Sequence, residues 1–172
     1  MRAFVIILCI IVSSNATACF APPLEQHVRP LELISRTERI VLAKVINASS
    51  EKNSYEVLYK FETIKTLKGK VRDTFTIEGH PLYQGGMTNF NNHSDPDFWE
   101  ESWGRESNDA DCEIYPSFSV GAIFLIFLDR PYHSKSFENI ILTNGDKNIK
   151  DKWLQYVEEQ VSLNTLLRVP KN

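Results

Sequence analysis

The sequence predicts a mainly β domain, a small five-stranded Greek-key barrel of the OB type with a short helix in a long insertion and a C-terminal helix. Three observations predict it. Five segments are apolar or alternate with period two, one of them slips phase by a residue at Ile64, and the last stretch carries its apolar residues at helical spacing. A sandwich needs about seven strands, more than the sequence supplies.

In chain order, Ala21-Pro22-Pro23 is extended and stops any early helix, and Leu31 to Thr37 after Pro30 predicts a short helix with Leu33 and Ile34 inward. Arg39 to Asn47 is the first strand. Val41, Ala43 and Val45 share one face and Ile40, Leu42 and Ile46 the other, so both faces are expected to be buried. Glu51 to Ser54 is a polar turn. From Tyr55 the alternation places Tyr55, Val57, Tyr59 and Phe61 on one face, until the slip at Ile64, the mark of a β-bulge that bends a strand. After the turn Lys68-Gly69-Lys70, the third strand alternates through Val71, Phe75 and Ile77.

Ala122 to Leu128 has no alternation and reads as a strand buried on both sides. Asn139 to Thr143 is a shorter fifth strand, closed by the turn Asn144-Gly145. Trp153, Tyr156, Val157 and Val161 then predict an amphipathic helix from about Lys147 to Leu167, with Pro170 beyond its end.

Residues 79–120 form an insertion too long for an ordinary loop. Phe90, Phe98, Trp99, Trp103, Tyr115 and Phe118 fall within it, an aromatic density that argues against disorder. Ser94 as N-cap, Pro96 in the first turn, acids at Asp95 and Asp97, and Gly104 as a stop predict a helix from Asp95 to Trp103. Trp99 and Trp103 would share one face of it at i,i+4 spacing.

Residues 1–18 read as a cleavable signal peptide: Met1-Arg2, an apolar run from Ala3 to Val12, then a polar stretch ending Ala16-Thr17-Ala18. That run is ten residues, against the ~20 that span a bilayer, and no later segment is long enough. The expected location is secreted or periplasmic, with residues 19–172 as a single domain. Removing 18 of the 172 residues takes away one cation, Arg2, so the formal net charge moves from −3 to −4. Such a domain lacks the basic footprint of a nucleic-acid binder.

Cys9 leaves with the signal. Cys19 and Cys112 then form an even pair, most simply one disulfide in an oxidising compartment. A cysteine in first position also fits a lipidated bacterial lipoprotein, although Ala16 stands where such sites usually carry leucine.

The insertion holds the residues that bear chemistry: His80, His93, Asp95, Asp97, Asp109, Asp111 and Glu113. Histidine with carboxylates suits zinc, and the three acids of 109–113 could offer oxygens to calcium, but the spacing matches no metal motif and reads as capping residues and a solvated acidic loop. Cys112 with His80 or His93 would make a thiol dyad only if the sulfur were free. Glu100-Glu101 are adjacent on the predicted helix and point apart. No catalytic set, metal site or cofactor is expected. Asn47-Ala48-Ser49 and Asn92-His93-Ser94 fit the glycosylation sequon.

Cys19 with Ala21-Pro22-Pro23 two residues on, the strand Ile40-Val-Leu-Ala-Lys-Val45, the segment Phe61 to Gly69 ending Leu-Lys-Gly, and Cys112 ahead of Phe118-x-x-Gly121 together resemble the netrin-like modules over roughly residues 19–128. The nearest group is the bacterial secreted proteins similar to tissue inhibitors of metalloproteinases. The resemblance implies an OB-type barrel. It also implies a Cys19 whose amine and carbonyl chelate a protease's zinc while a disulfide to Cys112 clamps it. The inhibitors begin Cys-x-Cys, whereas Ala21 stands here at the second cysteine's place and Phe20 is bulkier than the residue expected to follow. The expected function is therefore an exported binding module, its partner another protein, met around Cys19 and the Trp99/Trp103 insertion. Two narrower alternatives are a metalloprotease inhibitor acting through Cys19 and a metal-dependent hydrolase using the His80/His93 region.

Overall fold

A computed structural model describes residues 19, 21–52, 54–82, 93, 96–140 and 151–167. The signal peptide expected over residues 1–18, and Asp95, Asn92 and residues 141–150, lie outside them.

Five strands make one antiparallel sheet: β1 (Ile40–Ser49), β2 (Val57–Lys68), β3 (Thr74–Gly79), β4 (Ile123–Phe127) and β5 (Phe137–Asn139). Their order across the sheet is β3-β2-β1-β4-β5. Two helices accompany it, α1 (Pro30–Arg36) and α2 (Lys152–Leu167). β1 lies in the middle because it alone is long and apolar on both faces. Val41, Ala43 and Val45 enter one core with Tyr59, Phe61, Phe124 and Ile126. Ile40 and Leu42 enter a second core with Leu125 and Phe127, roofed by Leu33 and Ile34 of α1 and by Trp153, Leu154 and Val157 of α2. The unbroken apolar run of β4 has the same cause: a sheet covered on both faces needs no polar side. The described ladder has two ends, β3 and β5, so the sheet is open between them.

The phase slip at Ile64 is a bulge. Leu42 faces Lys65 and Ala43 faces Thr63, which leaves Ile64 as the extra residue of β2; further irregularities fall at Leu67 and at Ile46. Extra residues on one strand of a pair bend and over-twist it; Ile64 and Leu67 are extra on β2 and Ile46 on β1, and β2 sends Val57, Tyr59 and Phe61 into the first core. At its centre stands Phe118, from the insertion. Its ring meets those of Tyr59, Phe61, Phe124 and Phe137 edge-on, with centroids 5.0, 5.0, 4.9 and 5.4 Å apart. Each such pair contributes roughly 0.5–1.5 kcal/mol beyond burial.

The insertion departs from its predicted helix. Only a single 3-10 turn, Pro96–Trp99, forms where a helix to Trp103 was expected. Gly104 does more than stop a helix: a Cβ there would stand 2.3 Å from the Ser134 carbonyl oxygen, so only glycine lets these two segments touch. The two tryptophans part company. Trp99 packs near Tyr156 of α2, with ring centroids 6.3 Å apart, whereas Trp103 lies 3.8 Å from the His27 ring and is 59% exposed. Tyr55 falls just before β2 and is 77% exposed, not inward as its alternation suggested. β5 begins two residues earlier than expected, and α2 begins at Lys152 among the described residues.

Candidate functional site

The insertion supplies two polar assemblies, one at the surface and one buried. The surface one surrounds the Cys19–Cys112 disulfide, which joins residues 93 apart in sequence with Cα atoms 5.2 Å apart. Cys112 sits in a tight turn at φ 68°, its N–H donating to the Asp109 carbonyl at 3.0 Å. The Cys19 N–H donates to the Ala110 carbonyl at 2.9 Å, and Gln26 Nε2 donates to the Cys112 carbonyl at 2.6 Å. With its sulfur bonded, Cys112 has no thiol for a dyad with either histidine.

Beside the clamp, His80 follows the end of β3 and its Nε2 lies 2.8 Å from Asp109 Oδ2. That hydrogen bond holds the His80 pKa above its ordinary value. Tyr115 donates its hydroxyl to Asp111 Oδ2 at 2.8 Å, and Glu113 N–H donates to Asp111 Oδ1 at 3.0 Å. The backbone bond from Glu113, then the Tyr115 hydroxyl, hold Asp111 below the usual carboxylate range. The result is an exposed, mainly acidic edge of fixed side chains around Cys19.

The buried assembly is centred on His93, 1% exposed and in the left-handed region at φ 54°. Its Nδ1 lies 2.8 Å from Asp151 Oδ2 and its Nε2 3.1 Å from Glu138 Oε2. Arg105 Nε reaches the same Glu138 oxygen at 3.1 Å. Asp151 immediately precedes α2 and accepts from the Leu154 N–H at 3.1 Å, an N-cap that is also an ion-pair partner. Glu138 lies opposite Leu125 in the β4–β5 ladder and so faces the helical core. Burial works to lower the His93 pKa, but the hydrogen bonds to Asp151 and Glu138 outweigh it and hold the pKa above its usual value. The imidazolium then donates both N–H groups, and two positive charges balance two negative ones.

Two more ionisable groups flank this network. Lys135 is fully buried, its ammonium donating to the Phe98 carbonyl and lying 3.7 Å from the centre of the Phe98 ring. Burial lowers its pKa to about 8. Glu106 is pushed up to about 7 by burial and then by the Glu138 charge. Its folded form keeps a proton that an unfolded carboxyl loses near pH 4.5, so its contribution to stability falls as pH rises from 4.5 through 7. Glu106→Gln, uncharged throughout, is expected to raise stability at pH 8 by about 2 kcal/mol while changing it little at pH 4.5. Urea unfolding at the two pH values measures this, and an equal effect at both would refute it.

The residues singled out in the sequence are thus divided. His80, Asp109, Asp111 and Glu113 gather at the surface clamp, and His93 goes to the interior with carboxylates on both ring nitrogens. Asp97 lies in the 3-10 turn. Among the described residues no three histidine, cysteine or acidic groups are disposed to hold a metal ion. Glu138, Asp151, Arg105 and Lys135 were not foreseen. Only Asp151 carried a signal, an N-cap residue type directly ahead of a helical stripe. No described helix is long and apolar enough to cross a membrane. No protein-family model matches the chain, and no curated protein matches it.

Proposed function

We propose that the chain is an exported binding module of the netrin-like kind, an OB-type barrel left open on one side, that meets another protein at the edge where Cys19 is clamped. The observation that carries this reading is the disulfide. It fixes Cys19 beside a rigid exposed group made of His80, Asp109, Asp111 and Tyr115. A structural disulfide belongs to an oxidising compartment, which agrees with the leader-like residues 1–18. The order β3-β2-β1-β4-β5 supports the barrel reading, being that of a five-stranded OB barrel cut between its third and fifth strands.

Two observations favour binding over the narrower alternatives. Ala21 stands where the inhibitors carry the second cysteine of their Cys-x-Cys start, which counts against zinc chelation through Cys19. A hydrolase of the His80/His93 region needs histidine nitrogens free for a metal or substrate, whereas both nitrogens of His93 face carboxylates.

The test is expression of the whole chain in a secretory host, with N-terminal sequencing and intact mass. Cys19 as first residue, with both sulfurs oxidised, is expected. Retention of residues 1–18, or two free thiols, would overturn the export reading. A photo-cross-linking residue at Tyr115 is expected to give a discrete protein adduct that Cys112→Ser abolishes, while one at the exposed Leu166 of α2 gives none. Equal labelling from both positions, or none from Tyr115, would overturn the binding reading.

A further inference from the structure

We propose that the open side of the sheet is a second binding site, which takes an extended acidic peptide as an added strand on β3. It shares no residue with the Cys19 edge, and neither proposal depends on the other.

The site is a surface groove of about 710 Å³ between β3 and the segment that follows β4. Five cations line it: Arg39, Lys60, Lys70, Arg72 and Arg130, with no acid among the lining residues. In a chain with 22 acids and 19 lysines and arginines, that concentration is a marked local reversal of charge. Arg39 is already paired with Asp129 at 3.0 Å. Lys60, Lys70, Arg72 and Arg130 make no ion pair among the described residues. Arg130 lies 5.0 Å from the centre of the Tyr132 ring, which orients it along the wall. Such a trough attracts negative charge and holds it in place.

The backbone says what form the anion takes. Among the described residues β3 pairs only with β2, so among them the other edge of Thr74–Ile77 has its N–H and C=O groups free to face the groove. Beyond that stretch the edge is closed. Gly79 lets the Pro116 carbonyl come so near that a Cβ would overlap it, and the His80 N–H donates to that same oxygen at 3.1 Å. An unpaired strand edge beside a groove is the site at which extended peptides add to sheets.

The faces of β3 set the peptide's pattern. Thr74 and Thr76 are exposed, and Thr76 lies opposite Lys60. Phe75 and Ile77 point the other way, Phe75 stacked on Phe61 with ring centroids 5.1 Å apart. A strand laid along this edge therefore presents alternate residues to cations and to the apolar floor. Alternation of acidic and β-branched residues is the complementary sequence.

The probe is a fluorescein-labelled peptide of alternating glutamate and valine, titrated with the purified oxidised chain and followed by anisotropy. Saturable binding is expected, weakening as salt is raised. Arg72→Glu with Arg130→Glu, both on exposed side chains, is expected to weaken it by at least about tenfold while the circular dichroism spectrum is unchanged. N-methylation of alternate amides leaves every charge in place but removes the strand's donors, and is expected to weaken binding to a similar degree. Absence of binding overturns the proposal. So does an N-methylated peptide that binds as well as its parent, or heparin binding more tightly than the peptide with the same loss in the double variant. Either of the last two results would make the groove a general polyanion site.

Discussion

Glu138→Ala is expected to destabilise the fold by about 3–5 kcal/mol, the range for removing one partner of a buried ion pair. The carboxylate is fully buried, and one of its oxygens is shared by His93 Nε2 and Arg105 Nε. Truncation leaves the cationic side of the network in excess in a region that water does not reach. Glu138→Gln keeps the shape and an acceptor oxygen but not the charge, and is expected to cost less. The pH dependence has a definite sign. His93 binds its proton more tightly when folded, so the network's contribution is complete below pH 6.5 and is lost as pH rises through the folded pKa. Without Glu138 that alkaline loss shrinks, because one of the two carboxylates holding the proton is gone. Urea unfolding of wild type and variant at pH 6 and pH 9 measures both effects. A cost below about 1 kcal/mol, or an unaltered pH slope, would show that the network is not the ionised one described.

The position of this network gives an interior so polar a structural task. His93 and Arg105 come from the insertion, Glu138 from β5 and Asp151 from the start of α2, so one set of hydrogen bonds ties three separate stretches to the helical face of the sheet. Lys135 adds a fourth tie, to the Phe98 carbonyl. Apolar packing alone fixes such loops loosely, since it is non-directional; paired charges accept only one arrangement.

How far the sequence revealed the molecule depends on how local the determining physics is. The two-faced β1 and β4 were legible because a strand's period of two reports directly which residues reach each core. The Ile64 slip was legible for the same reason, since one inserted residue reverses every later face. The Asp95–Trp103 helix was misread because good capping residues and an i,i+4 tryptophan pair describe a helix only if tertiary contacts agree. Here the Trp99 ring is drawn to α2, Trp103 to His27, and Gly104 to the Ser134 carbonyl, and a continuous helix cannot satisfy all three. The barrel was an inference from strand number. Closure depends on whether β3 and β5 meet, which no single segment encodes.

The candidate sites divide in the same way. The Cys19–Cys112 bond was legible by counting once Cys9 was assigned to the expected leader, which leaves two of the three cysteines to pair. The grouping of His80 with Asp109 needed the chain to fold β3 against the clamp. The buried network joins positions 93, 105, 138 and 151, whose residue types individually read as solvated loop or helix cap. The basic groove assembles residues from four separate stretches, and in a chain of net negative charge the sum conceals it.

The disulfide carries the other large effect. Cys112→Ser is expected to lower the unfolding free energy by about 4 kcal/mol, because the closed loop spans most of a hundred residues and its opening returns that freedom to the unfolded chain. Cys19→Ser is expected to cost nearly the same, and the double variant no more than either single one, since all three abolish one bond. The folded state should respond only locally. Gln26 still donates to the Cys112 carbonyl, and His133 Nε2 still holds the Val28 carbonyl at 2.9 Å, so residues 26–28 stay in place while Cys19 is released. Reduction should therefore expose the stretch ahead of Gln26 to proteases well before the sheet unfolds. Denaturation of the three variants, with limited proteolysis of the reduced protein, tests both halves. Additive losses would mean that each cysteine contributes through its own packing, and cleavage starting within the sheet would mean that the clamp holds the whole domain instead of its leading edge.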